Sequence, residues 1–368
     1  MAYVAVKGGA EAIEESIKRL TFERIHANEQ LEVTTIIATM RGLIDQVMSE
    51  SSLYSEYLAA LAIKQSEGNA EEAVFLLRAH RSTLPRIYYT RVVETDTMAV
   101  ERRISASFKD IPGGQVLGAS FDYTHRLMDF DLIGETKVGM QKWVDQFLQE
   151  EIEVTIKPDL TALPKVVDYL RKEKLFSQIE DDNTEPIDVT KQSLQFPTTR
   201  SERLQVLTRG QTGAVTSLGY AAIRGFGEVH PNVGELRVGK LPLTISHPTD
   251  LSDEVENDYY IGEIKVTEVE SFIPVSVQKE NNVEEIEFEI GYGICFGQNE
   301  TKAIAISILD HGLEAGGKEY PTQDEEFVLL HIDSLESSGF ISHLKLPHYV
   351  TFQSKLDSIR KIKKESEK

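Results

Sequence analysis

Cysteine is almost missing from this sequence: Cys295 is the only one in 368 residues. A single thiol permits no internal disulfide and no zinc ribbon. It is also too few for an iron–sulfur cluster, which takes about three or four thiolates. Basic residues are scarce as well. Lys and Arg number 39 against 60 Asp and Glu, a formal net charge of −21 with a pI near 4.9. Such a field repels polyanions at long range, which argues against DNA or RNA as a partner unless a local basic patch overrides it. No apolar run approaches the roughly 18 residues that a membrane span needs. The N-terminal MAYVAVKGGAEAIEES carries acids where a secretory signal has a basic and then an apolar stretch. There is no internal repeat, no GxGxxG, no Walker lysine, no GxSxG elbow and no HExxH helix. The expectation is a cytoplasmic protein with no membrane and no nucleic acid among its partners.

What is present is an ordinary globular composition, with 40% hydrophobic and 27% charged residues. Single cores stop growing at about 250–300 residues, so the length predicts two lobes or one lobe with an insertion. Residues 3–6 read as a short β run. Helical periodicity follows at 10–26, 34–49, 53–65 and 70–80, the last introduced by Asn69 as N-cap. Residues 86–93 read as extended. A helix is expected from Pro164 to about residue 176, and an acidic loop at 180–186. Helices are then expected near 200–207 and 214–223. Strands are expected at 235–238, 242–245, 259–269 and 283–292, followed by an amphipathic helix at 301–313, an apolar segment at 327–335 and a charged helical tail at 354–368. The fold class is therefore α+β: a helical N-terminal part and a mixed C-terminal lobe with a mainly antiparallel sheet and flanking helices. The predicted divisions are 1–133, a variable insertion at 134–199, a lobe at 200–353 and the tail.

Several constellations carry chemistry, each with a plainer alternative. Arg102, Arg103, Lys109 and Arg126 gather beside Gly113-Gly114, Tyr123 and His125 in an otherwise acidic chain. Guanidinium forks and exposed glycine amides suit a polyphosphate; ion pairs with the surplus acids are the alternative. Arg200, Arg203 and Arg209 form a second basic group. Asp324, Glu325 and Glu326 precede an apolar stretch. Fixed carboxylates there could stabilise an oxocarbenium-like state and activate a nucleophile at a glycosidic bond, or they could simply favour a helix N-terminus. His343 and His348 flank Leu346-Pro347, so they are not an i, i+4 pair of one helix. A bend at Pro347 would bring both imidazoles to one side, as half of a zinc-type site. GYGICFG at 291–297 suggests a phosphate turn, but a tight strand-to-helix connection explains it more simply.

Seven strings decide the matter together: YVAVKGG, ERRISASFKDIPGGQVLG, DYTHRLMDF, the RLQ of 203–205, RGFGEVHP, QDEEFVLLH and SHLKLPHYV. In this order they resemble the PhnI family, a subunit of the bacterial carbon–phosphorus lyase core complex. The resemblance runs over residues 3–355 and thins at 134–199 and after 352. Thr351 departs from it, standing where an acid is expected.

The resemblance implies phosphonate catabolism. With PhnG, PhnH and PhnL, the enzyme would displace adenine from MgATP by an alkylphosphonate at the ribose C1′, giving α-D-ribose 1-methylphosphonate 5-triphosphate. Alone, the subunit would act as a nucleosidase, converting ATP or GTP to ribose 5-triphosphate and free base. Radical C–P cleavage would belong to PhnJ, in agreement with the single cysteine. His343 and His348 carry over as the family's zinc ligands near the contact with PhnJ. The resemblance does not place the catalytic carboxylate, and the assignment to Asp324, Glu325 or Glu326 rests on the residues alone. The rival reading is a non-catalytic scaffold that docks the radical subunit; an unrelated metal-dependent hydrolase is a third.

Overall fold

A four-stranded antiparallel sheet and thirteen α-helices make up the α+β fold of the computed structural model, which describes residues 9–153, 159–173, 175–176, 184–225, 230–249, 257–278, 284–317, 319–346 and 348–367. The strand reading at 3–6 and residues 226–229 of RGFGEVHP lie outside these, as do Pro347 and residues 180–183 of the acidic loop.

Helices α1 (Gly9–Ile25), α2 (Val33–Thr39), α3 (Arg41–Ser51), α4 (Glu56–Gln65) and α5 (Ala70–Ser82) form the N-terminal array. Asn69 caps α5 as its sequence suggests, its side chain accepting from the Glu72 N–H at 2.9 Å. The stretch expected as one helix from residue 34 is interrupted at Met40, whose φ of −117° and ψ of 39° are not helical. Ile36, Ile44, Val47, Met48, Ala59, Ala60, Ile63, Val74 and Leu77 close a dry core between α2 and α5. The apolar stripe of α1 (Ile13, Ile17 and Leu20) is instead exposed.

Strands β1 (Ala99–Ile104), β2 (Asn232–Ile245), β3 (Tyr259–Gln278) and β4 (Glu284–Phe296) lie in the order 1-2-3-4. The two short strands expected at 235–238 and 242–245 are one, because Gly239 and Lys240 continue the ladder with Val266 and Lys265. Residues 86–93 add no strand; Arg91 N–H donates once to Thr244 O, at 2.8 Å. One face of the sheet is covered by α10 (Glu300–Ala315), with α8 (Arg200–Arg209), α9 (Thr212–Gly225) and α11 (Glu325–His331) around it. Leu236, Val238, Val269, Ala303, Ile306 and Leu309 form that core. Gly291 and Gly293 let α10 sit directly on β4: a Cβ at either would lie 2.0 Å from the carbonyl oxygen of Ser307 or Ala303. GYGICFG is therefore mostly strand: residues 291–296 belong to β4 and receive α10, and only Gly297 lies in the tight connection expected there.

The opposite face is covered by α7 (Val166–Lys172) and the segments around it, with Val166, Val167 and Leu170 packing on Phe272 and Phe288. The expected helix from Pro164 is thus shorter than the sequence pattern, with Lys165 as its N-cap. Helix α6 (Lys137–Glu153) exposes Trp143, Val144, Phe147 and Leu148. The apolar segment at 327–335 divides between α11 and α12 (Ser334–Ser342), because Asp333 caps the second helix. Helix α13 (Tyr349–Ser366) follows. Among the described residues no helix is long and apolar enough to cross a membrane.

Candidate functional site

The middle of strand β3, residues 266–273, is buried on both faces, and the two faces differ in chemistry. Thr267, Val269 and Ser271 turn toward α10, where Ser271 Oγ and Ser307 Oγ share a hydrogen bond of 2.7 Å. The alternate residues Glu268 and Glu270 turn toward α7. Register then assembles a layer of charge: Glu268 lies opposite Arg237, which lies opposite Arg103, while Glu270 lies opposite both Glu235 and Tyr292. Residues paired across strands share a face, so the ladder alone builds this cluster.

Hydrogen bonds knit it tightly. Arg237 Nε donates to Glu268 Oε2 at 3.1 Å and Nη2 to Thr95 O at 2.9 Å. Glu268 Oε1 accepts from Thr95 Oγ1 at 2.5 Å, Tyr292 OH at 2.9 Å and Lys165 Nζ at 2.9 Å. Lys165 Nζ also reaches Glu270 Oε1 at 3.2 Å. Arg103 pairs with Glu235, and its other nitrogens donate to Pro112 O at 2.5 Å and Pro164 O at 2.7 Å. Glu235 in turn accepts from the Val166 N–H at 2.9 Å. Among the described residues Glu270 Oε2 and Arg237 Nη1 are buried with no hydrogen-bond partner.

The two glutamates are driven apart. Burial pushes Glu268 up, but Arg237, Lys165 and Thr95 outweigh it and hold the carboxyl at about 2. Burial pushes Glu270 up to about 7; Lys165 opposes this, and the Glu268 charge adds to it. Tyr292 is raised well above the usual phenol range by burial and then by Glu268. A permanently ionised carboxylate beside one that titrates near neutrality is the pattern of an acid–base pair. It is equally the pattern of an ion network that fastens α7 to the sheet, since every partner belongs to the fold.

The sequence-predicted residues fall in different places. Arg102 and Arg103 are buried, at 1% and 0% exposure, and both meet carboxylates and carbonyls of the fold. Arg102 reaches Asp122 at 2.5 Å and Glu300 at 2.9 Å, and also Leu117 O. The Pro-Gly-Gly turn serves Arg103: Gly113 has φ of 84°, and a Cβ there would meet Arg103 Nη1 at 3.0 Å and Leu163 at 2.8 Å. Gly114 has φ of 75° and open space beside it. Lys109, Tyr123, His125 and Arg126 are exposed. Of the second basic group, Arg200 forks onto Asp310 at 3.1 and 2.6 Å, and Arg203 pairs with Glu314. Among the described residues Arg209 has no carboxylate within ion-pair distance, and its side chain donates to Ser52 Oγ at 3.5 Å.

Within the acidic run, Asp324 caps α11 by accepting from the Phe327 N–H at 3.1 Å. Glu325 accepts from Thr198 Oγ1 at 2.7 Å and N–H at 3.1 Å. Glu326 is exposed. His343 and His348 do come together, their ring centroids 5.4 Å apart. Their Nδ1 atoms face backbone carbonyls, of Phe340 and, at 2.6 Å, of Leu346. A carbonyl can only accept, so each neutral ring carries its proton on Nδ1 and keeps the Nε2 lone pair. This is how metal-ligating imidazoles are usually held. Among the described residues no group of three or more His, Cys, Asp or Glu could hold a metal.

Sequence reasoning missed Lys165, Glu235, Arg237, Glu268, Glu270 and Tyr292. The signal was charge inside otherwise apolar strands, in ELRVGKL and VTEVESF, where a buried strand ordinarily reads as continuous apolar residues.

Fold and site together define an α+β protein with a buried acid–base layer and an exposed imidazole pair. The chain belongs to the PhnI family: the family model described as "Bacterial phosphonate metabolism protein (PhnI)" matches residues 2–366. It is 43% identical over 366 residues to the putative C-P lyase subunit protein HtxH of Stutzerimonas stutzeri, covering 98% of this chain and 95% of that one. It is 41% identical to the α-D-ribose 1-methylphosphonate 5-triphosphate synthase subunit PhnI of Rhizobium meliloti (strain 1021), covering 99% and 95% of the two chains. It is 39% identical to the subunit of the same name in Escherichia coli (strain K12), over 99% of both.

Proposed function

We propose that this chain is the subunit of a phosphonate-activating synthase that works at the ribose C1′ of MgATP. The C1′–N9 bond to adenine breaks and a bond from C1′ to a phosphonate oxygen forms. The leaving purine takes up one proton, from the phosphonate monoanion or, where the phosphonate is a dianion, from solvent. The carrying observation is full-length similarity: 39% identity over 99% of both chains to the E. coli subunit named for the product of that reaction. Alone, with water in place of phosphonate, the same chemistry is a nucleosidase on ATP or GTP. PhnG, PhnH and PhnL would complete the synthase, and PhnJ would cleave the C–P bond of its product.

The reaction makes three physical demands. A triphosphate of roughly −4 must be held against a protein of −21, which calls for magnesium and a local arginine cluster. The purine must leave with its charge relieved. Water must be kept from C1′, a task for subunits that close the site. Of the acidic run, Glu326 is the carboxylate whose exposure suits contact with a ribose, while Asp324 and Glu325 would position α11. His343 and His348 would supply two of the ligands of a zinc ion shared with a partner chain, the ion acting as a Lewis acid or a structural clamp when bound.

Incubating ATP with the purified chain, and then with the assembled subunits plus methylphosphonate, tests this. Free adenine in both and a ribose 1-methylphosphonate product in the second are expected. No adenine from the full assembly would overturn the reading. Adenine from the assembly but none from the purified chain would favour the scaffold, a reading supported by the exposed apolar residues of α6.

A further inference from the structure

Three elements bring four guanidinium groups together where the helical array meets the sheet lobe. Arg78 and Arg81 lie one turn apart on α5, Arg86 follows that helix, and Arg209 ends α8. Arg78 Nη2 donates to Arg209 O at 3.0 Å, which ties α5 to the end of α8. Arg81 Nη2 donates to Thr190 Oγ1 at 2.8 Å, and Arg86 Nη1 lies 3.3 Å from Asp188 Oδ2.

The acids do not balance this cluster. Asp333 pairs with Arg78 at 2.6 Å and also caps α12. Asp188 serves Arg86 while its other oxygen accepts from Thr190, N–H and Oγ1. Among the described residues that leaves two carboxylates in ion pairs with four guanidiniums, a positive surplus in a chain whose net charge is −21. Neither Arg81 nor Arg209 has an ion pair among the described residues. Burial lowers Arg209 to about 10, with the fields of Arg78 and Arg81 adding to it; burial and then Arg86 lower Arg81 as well. Lys191 and Arg86 both stand on the Tyr89 ring, 4.9 and 5.4 Å from its centroid, and bring a further cation. Elsewhere in the fold, described arginines as buried as these meet carboxylates; here the carboxylates are too few.

We propose that Arg81, Arg86 and Arg209 form a binding site for a polyphosphate group. Planar forks presented from separate elements suit several phosphate oxygens better than one. Arg78 holds the frame, and its donors are already engaged. The site takes the part first expected of Arg102 and Arg103. That the polyphosphate is the tail of the substrate nucleotide rests on the proposed function; the binding itself does not.

The test is calorimetric titration of the full-length protein with tripolyphosphate, ATP and adenosine at low ionic strength. Wild type is expected to bind the first two and not adenosine. Arg81→Gln with Arg209→Gln should weaken both at least about tenfold, the size of one lost charge-assisted contact. Circular dichroism establishes that the double variant is folded, and Arg81→Gln alone, at a half-buried position, is the fallback. ATP binding much tighter than tripolyphosphate would assign the site to a nucleotide; equal affinities would assign it to the tail alone. A folded variant that binds tripolyphosphate like wild type would overturn the proposal, as would a wild type that does not bind it. An assembly that released no adenine would leave these isotherms unchanged, so the two readings fail separately.

Discussion

At Glu270 a carboxyl group sits where its charge is unwelcome. Its pKa, about 7 in the fold, exceeds the ordinary 4.5, so between those values the folded chain holds more protons than the unfolded one. Stability from this group is therefore full below about pH 4.5 and lost as pH rises through 7. Glu268 acts in the opposite direction: held at about 2, it contributes above 4.5 and loses that contribution as pH falls toward 2. Glu270→Gln should remove the decline between pH 4.5 and 7, worth up to about 3 kcal/mol, as read by denaturant unfolding across that range. A decline that persists in the variant would place the titrating group elsewhere. Arg103 makes a second case. Replacing it by Ala strands Glu235 in the interior, an effect of about 3–5 kcal/mol, whereas Lys109→Ala should leave the melting temperature unchanged. A well-folded R103A variant with impaired nucleotide binding would give that side chain a substrate role instead.

Among the elements, two glycines govern how closely α10 and β4 approach. Gly293→Ala forces a methyl group against the Ala303 carbonyl and should cost about 3 kcal/mol. Gly114→Ala, with open space but φ of 75°, should cost about 1 kcal/mol. Thermal unfolding of the two variants side by side checks the order. At the end of α12, replacing His343 and His348 together by Ala should strip zinc from the assembled complex, measured by metal analysis. Unchanged zinc content would move the metal to other ligands. Much of this level was legible. Asn69 and the periodicity of α10 are local signals, and local signals survive in sequence. The histidine pair was legible because both rings lie within one short segment. The acid–base layer was not, because it depends on which residue of β2 faces which of β3, and register is a tertiary fact. The arginine surplus was hidden for the same reason: Arg209 resembles Arg200 and Arg203 in sequence, and only the fold shows which of them met an acid.

Taken whole, the described residues expose much apolar surface, with Trp143 at 66% and Phe147 at 46% exposure on α6 and Phe340 at 71% on α12. Patches of that kind mark contact with other chains, which accords with relatives named as subunits. Trp143→Ser with Phe147→Ser should leave the melting temperature of the isolated chain unchanged and weaken co-purification with partner subunits. Unweakened co-purification would assign α6 no interface.

The sheet also imposes an order on synthesis. Strand β1 leaves the ribosome long before β2, and Arg103 is separated from Glu235 by 132 residues. At about 5–20 residues per second, β1 waits roughly 7–26 s for its neighbour. Throughout that interval two arginines destined for the interior remain hydrated, and one edge of the future sheet stands open. The buried core of the helical array is drawn from residues 36–77, with Leu335 of α12 packing on it later, and can begin to close first. Nascent chains halted near residue 225 should therefore resist protease through α5 yet be cut around β1, a cleavage that vanishes once translation passes β3.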